Sequence, residues 1–434
     1  MVKKVKQNDR SSKKLRLPSS SILIVLVFSA VVCPCLGDDI IWSETYGGVD
    51  DEIASEVTVQ TSDGGYAVFG ETESFGVGQS DFWLIKTDSA GNMQWNRTYG
   101  GVSIETSGSM YATTDGGYIM CGSTASFGAG GYDAWLVRVD GNGNTEWNQT
   151  YGGTDNEYAN HVIQTVDGGY ALGGRTLSYG TGADYFWLVK VDADGNMEWD
   201  QTYGGAGSEY GMYVIQTNDG GYALVGHTSS VGAGSFDVWF IKTDAGGNML
   251  WDQLYGGTGL EWGQCVAQTS DGGYAIAGTT ASFGAGERDF WLVKVDADGN
   301  MEWDQTYGGT GNDCANYFIQ TEDSGYAIVG FTTVGSDQNA TLIKTDVSGN
   351  MEWNQTYGGA GTETAYALLR TNNGYYLLTL NTRSYGAGHD DIWLVEVIPE
   401  GLTFAVMALL TTVSMFVGYR YSIKRRETRP NRVN

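Results

Sequence analysis

The sequence predicts an all-β protein, a seven-bladed β-propeller of four-stranded blades, and three observations carry that expectation. A tryptophan recurs as Trp42, Trp95, Trp147, Trp199, Trp251, Trp303 and Trp353, at steps of 53, 52, 52, 52, 52 and 50 residues. A fixed period of that size marks a solenoid or a propeller. Each repeat holds four short strand-like runs separated by glycine turns, with no helical periodicity in them. The four prolines, Pro18, Pro34, Pro399 and Pro430, all lie outside the repeats, and none is placed to interrupt a strand ladder.

Along the chain, Lys3, Lys4, Lys6, Lys13, Lys14 and Arg16 precede an apolar run, Ile22 to Val32, too short to span a bilayer, and small residues around Cys35 and Gly37 follow. That order predicts a cleaved secretory signal over residues 1–37. Residues 38–398 are then the propeller ectodomain, and 399–401 a juxtamembrane linker. Residues 402–419 form an apolar span long enough to cross a membrane. The tail, 420–434, carries Arg420, Lys424, Arg425, Arg426, Arg429 and Arg432, which by the positive-inside rule places it in the cytoplasm and the repeats outside. The expectation is a single-pass protein of the cell membrane.

The repeat after Gly204 shows the blade. Glu209 to Thr217, Tyr222 to Thr228, Asp237 to Thr243 and Met249 to Leu254 read as strands. The turns between them contain glycine, which reaches positive φ at little steric cost. The array opens with a lone fourth strand, Ile40 to Thr45, and closes with a lone third strand, Asp391 to Val397. Pairing those two completes the seventh blade from both ends and covers two strand edges.

Composition narrows the partners. Residues 38–400 hold 11 basic against 49 acidic side chains, a net of −38. Such a surface repels nucleic acid and attracts cations, so calcium is the candidate cofactor. Cys121, Cys265 and Cys314, the cysteines beyond the signal, are odd in number and read as small core residues. Nothing suggests self-association, and a monomer is expected.

The pattern W-x-x-T-Y-G-G, then Q-T-x-D-G-G-Y-A, then S-F-G-A-G-x-x-D-x-W-L-V-K, resembles the secreted β-propeller repeat proteins of bacteria and archaea (SBBP-type repeats) over residues 40–398. That resemblance implies the fold and no common reaction. Asp192-x-x-Gly195-x-x-x-Trp199 is also similar to the tryptophan-docking motif of quinone-dependent dehydrogenases, which usually have eight blades rather than seven.

What recurs in every blade sits around a ring, whereas an active site needs one asymmetric group. The recurring tryptophans, those of the third strand, and the Gly-Gly-Tyr tyrosines therefore read as blade packing. Each Tyr-Gly-Gly is followed by an acid: Glu52, Glu105, Glu157, Glu209, Glu261, Asp313 and Glu363. A second set, Asp81, Asp133, Asp237, Asp289 and Asp391, with Asp184 shifted by one, precedes the third strand. Strand order puts both sets on one rim. They read either as a metal-binding rim or as caps on the N–H groups of the glycine-rich loops. The same loops carry Phe75, Phe127, Tyr179, Phe283 and Tyr385, candidates for stacking on a sugar or for tucking between blades. The Asp-x-Asp-Gly-Asn turns lack the further ligands of a calcium loop and read as hairpins on the opposite face. Asn96, Asn148, Asn339 and Asn354 head glycosylation sequons.

Asymmetry appears four residues after each acid, at Ser109, His161, Tyr213, Cys265, Tyr317 and Ala367, with Glu56 or Val57 in the first blade. His161, Tyr213 and Tyr317 are expected at the central channel. Blade 6 departs most, with a shortened loop, Thr332 to Asn339, and Thr341 in place of the third-strand tryptophan. No zinc spacing and no catalytic triad order is legible. The expected function is a non-enzymatic, membrane-anchored binding module for a glycan, a cation or a surface protein. The alternatives are an extracellular enzyme with an axial pocket, acting on polysaccharide or using a quinone, and a passive envelope component.

Overall fold

In the repeat after Gly204, the strands Glu209–Gln216, Tyr222–Thr228, Asp237–Thr243 and Met249–Tyr255 form one antiparallel sheet in chain order. Gly220 and Gly247 take φ of 84° and 76° in the turns that join its first and last strand pairs, a region that disfavours any residue with a Cβ. The computed structural model describes residues 39–180 and 183–399, and contains seven such sheets. The expected signal (1–37), membrane span (402–419) and tail (420–434) lie outside the described residues. Among the described residues no helix is long and apolar enough to cross a membrane.

The ring closes as the strand count requires. Ile40–Tyr46 is the outermost strand of the last blade, antiparallel to Asp391–Val397, with Trp42 opposite Glu396. Further bonds join the first and last blades, among them Ala54 N–H to Asn381 Oδ1 (2.8 Å), Thr58 to Thr379 through their hydroxyls (2.6 Å), and Asn372 N–H to Gln60 Oε1 (2.9 Å).

The second and third strands of a typical blade are buried along their whole length, because adjacent blades cover both faces; the outer strand is half exposed. One unit repeats at the blade junctions. The outer-strand tryptophan lies against the turn glycine and the Gly-Gly-Tyr tyrosine of the next blade, as Trp199 does with Gly247 and Tyr222 (ring centroids 5.8 Å). The outer-strand tyrosine then donates to that glycine's carbonyl, Tyr203 to Gly247 at 2.6 Å. Asp192 accepts the N–H groups of Asp194 and Asn196 within its own turn, so this segment is a hairpin and a blade anchor.

A recurring lysine adds to this. Lys190 is buried in the third strand, and its ammonium reaches Asp167 at 3.0 Å and Glu198 at 2.8 Å. In the closing blade Glu396 occupies the lysine's place, and accepts from Trp42 Nε1 (2.6 Å) and Tyr66 Oη (3.1 Å). Asn373 correspondingly replaces the aspartate, so the charge pair is absent where the two chain ends meet. Blade 6 keeps all four strands. Tyr326–Val334 and Asp337–Thr345 are its second and third strands, each nine residues long and joined by a tight turn at Gly335.

Candidate functional site

All seven acids after Tyr-Gly-Gly are 0 or 1 % exposed and point into their own loops. Glu157 is representative: it accepts from Gly153 N–H (2.8 Å), Thr176 Oγ1 (2.8 Å) and Ser178 N–H (3.0 Å). Glu52, Glu105, Glu209, Glu261 and Glu363 likewise accept from a glycine N–H and from the threonine that ends the second strand. Asp313, one carbon shorter, takes Gly309 and Thr333 N–H groups. Each of these carboxylates holds the crossing between blades to the loop between the second and third strands.

The second acidic set does related work from the other side. Asp289 accepts Ala285 and Gly286 N–H at 3.0 Å each, and Asp391 accepts Ala387 and Gly388 at 3.0 Å each. The fold brings the two sets together: a Cβ at Gly100 would collide with both Asp81 and Glu105, so only glycine lets the carboxylates close over the crossing. One atom stands out. Asp391 Oδ1 is buried without a hydrogen-bond partner at the junction bordered by Glu52. Burial raises the Asp391 pKa, and the Glu52 charge adds to it.

The loop aromatics do not stand free: the Tyr179 and Tyr385 hydroxyls donate to the Gly152 and Gly358 carbonyls at the crossing from the preceding blade (3.0 and 3.1 Å). Phe75, Phe127, Tyr179 and Phe283 are 38–45 % exposed, and each leans on its own blade's third-strand tryptophan at centroid distances of 5.3–5.8 Å. Tyr385 packs on Trp393 at 4.7 Å. The sequon asparagines Asn96, Asn148 and Asn354 are exposed on outer strands, while Asn339 is half-buried. Asn96 and Asn148 also accept from Trp83 and Trp135 Nε1 (3.3 and 3.2 Å), as Asp200 does from Trp187 (2.9 Å). The position needs an acceptor, which explains why Asn and Asp alternate there. Cys121, Cys265 and Cys314 are free and buried.

The rim face has one continuous asymmetric feature, at positions next to the recurring acids. Tyr132 stacks on Tyr158 (5.6 Å), and the Arg175 guanidinium lies between Tyr158 (4.2 Å) and Tyr210 (4.7 Å). Tyr210 stacks on His227 (5.0 Å), His227 meets Trp262 (6.0 Å), and Arg288 covers Trp262 (4.4 Å). Asp184 fixes Arg175 at 3.2 Å. Apart from buried His227, these rings and guanidiniums are half-buried and form an arc across blades 2 to 5. Its sequence signal was available: the residue after the recurring acid is aromatic only at Tyr158, Tyr210 and Trp262, in three successive blades.

His161, Tyr213 and Tyr317, from blades 3, 4 and 6, come together where the inner strands meet. Every inner strand carries a register irregularity three residues after its acid, which turns Asn160, Met212, Gln264, Asn316 and Tyr366 out of the ladder and leaves them partly exposed. His161 and Tyr213, one residue later, are buried and stack at 3.6 Å. Tyr317 is half-buried, and its hydroxyl meets that of Tyr213 at 3.4 Å. In the first blade the irregularity spans Ala54 to Thr58, leaving Ser55, Glu56 and Val57 unpaired.

Burial raises the Glu56 carboxyl from its ordinary 4.5 to about 8, with no cation to offset it. The titratable groups that feel its charge are Cys121, Cys265, Tyr213, Tyr317 and Tyr366, all neutral at pH 7. Between about 4.5 and 8 the folded chain therefore keeps a proton that the unfolded chain has released, so stability falls as pH rises through that window. Glu56→Gln is expected to recover about 2–4 kcal/mol at pH 8 and little at pH 4.5, measured by denaturation at both. A residual slope will remain from Glu71, which burial raises to about 7.

No protein-family model matches the chain. No curated protein matches it either. Solved structures do. The Neurospora crassa Pan2 WD40 domain aligns with a TM-score of 0.50 at 8 % identity, covering 83 % of this chain and 95 % of that one. A protein of unknown function from Dyadobacter fermentans gives 0.45 at 10 % identity, with 83 and 99 % covered. YCF48 bound to D1 peptide gives 0.47 at 10 %, with 82 and 95 % covered. At these identities the likeness concerns the propeller fold alone.

Proposed function

We propose that this chain is a membrane-anchored, non-enzymatic binding propeller that takes a protein partner on its rim face, across the arc from Tyr132 to Arg288. The observation that carries the reading is the arc itself. Tyrosine, tryptophan and arginine are the residues that dominate binding energy at protein interfaces. Here they form one connected, half-buried surface within an otherwise repetitive ring. The basic tail, the apolar span and the likeness to secreted propeller repeats support a place at the cell surface. The test presents the full chain to arrays of extracellular proteins and of glycans. Binding to a protein that drops at least tenfold in Trp262→Ala is expected. Binding to a glycan that drops instead in Phe127→Ala would move the site to the loop aromatics and replace this reading.

A second reading, a calcium ion on the rim, is favoured at one junction by the unpartnered Asp391 Oδ1 beside Glu52. Calcium titration of the full chain should then raise its melting midpoint, and Asp391→Asn should abolish the rise. A midpoint unmoved in the native chain removes calcium from the rim.

A further inference from the structure

The bulged inner strands line an open cavity of ≈ 250 Å³ near the axis, to which blades 1, 2, 3, 4 and 7 contribute. Ile53, next to the rim acid Glu52, also lines it, so its mouth opens on the rim face. Its polar lining includes Ser55, Glu56, Glu71, Thr106, Ser107 and Asn160, with the Tyr366 hydroxyl. Two of these are already engaged: Glu71 accepts Ser107 N–H at 2.6 Å, and Asn160 donates to the Gly211 carbonyl at 2.6 Å. Two are not. Glu56 Oε2 and Ser55 Oγ are buried atoms with no hydrogen-bond partner, and Ser55 as a whole is 4 % exposed.

We propose that this axial cavity binds a small organic cation rich in N–H donors, an alkylammonium or alkylguanidinium group, between the carboxyl groups of Glu56 and Glu71. Glu56 Oε2 and Ser55 Oγ, both without a partner, can each accept an N–H hydrogen bond. A buried acceptor left without a donor costs about 1–3 kcal/mol, which a ligand N–H removes. The Met212 and Tyr366 side chains at the wall suit the methylenes and the charge of such a group. A divalent metal fits less well. Only two carboxyl groups converge here, and among the described residues no three His, Cys, Asp or Glu side chains gather as metal ligands, against the six to eight oxygens calcium takes. The volume suits one head group with a short stem, so the cation is either a free amine or a lysine or arginine side chain presented by a partner. Binding ionises Glu56 and releases its proton, so affinity rises with pH between about 6 and 8. This site shares no residue with the arc and does not rest on it.

Calorimetry on the purified full chain tests this with n-butylammonium, n-butylguanidinium, and peptides carrying a single lysine or arginine, at pH 6 and pH 8. Saturable binding of at least one probe is expected, at least threefold tighter at pH 8, with net proton release in buffers of differing ionisation enthalpy. Glu56→Gln should weaken it tenfold or more, while Arg175→Ala and Trp262→Ala leave it unchanged. Binding of the free amines identifies a free cation as the ligand class, and binding of the peptides alone identifies a partner's side chain. If no probe binds, or if binding survives unchanged in both Glu56→Gln and Ser55→Ala, the cavity is not a cation site. Failure of this experiment leaves the arc's array binding untouched, so the two proposals fall separately.

Discussion

Glu157→Ala is expected to destabilise the fold by about 2–4 kcal/mol in equilibrium denaturation, a large effect for a residue on a loop. The substitution strands three donors at once: Gly153 N–H, Thr176 Oγ1 and Ser178 N–H, all within 3.0 Å of the carboxylate. Because Glu157 is 0 % exposed, water does not replace it without opening the crossing between blades. Glu157→Gln keeps an acceptor oxygen and should cost less than half as much. An alanine variant as stable as the native chain would show that these acids do not hold the loops, and would return them to the metal-binding reading.

The second large effect lies at the seam. Trp42→Ala is expected to cost about 2–4 kcal/mol and to speed unfolding, because it removes both the ring packed on Gly91 and Tyr66 and the donor to Glu396. In every other blade a turn joins the third and outer strands; in the last blade Ile40–Tyr46 and Asp391–Val397 are held together only by non-covalent pairing. Amide exchange should therefore rise across Ile40–Tyr46 before it rises in any complete blade. In a double-mutant cycle with Glu396→Gln the two costs should not add, since they share one hydrogen bond. Equal protection of that strand and of the interior outer strands would mean that the seam is not the weak point.

The blade count, the closing strand and most strand boundaries were legible in the repeats; the exception is blade 6, where the expected loop Thr332 to Asn339 is strand except for the turn at 335–336. The legible features follow from local chemistry repeated seven times. A glycine in each turn, an unbroken apolar run in each middle strand and a tryptophan in each outer strand state the same answer in successive repeats, so chance agreement is suppressed. The sequence by itself also set out both roles for the recurring acids, without deciding between them.

Only the tertiary structure showed where each carboxylate points. A loop cap and a metal-facing carboxylate have the same residue type at the same spacing, and differ only in whether glycine and threonine donors fold back on them, as they do at Glu157. The bulges are a second such case: one turns Asn160 out of the ladder beside His161, and no residue type marks a bulge. The arc and the cavity with Glu56 depend on neighbours in different blades, as Tyr132 with Tyr158 and Arg175 with Tyr210, which the ring brings into contact. Repetition made the scaffold legible from one strand to the next, while the features that break the repetition acquire their chemistry only when the ring brings them together.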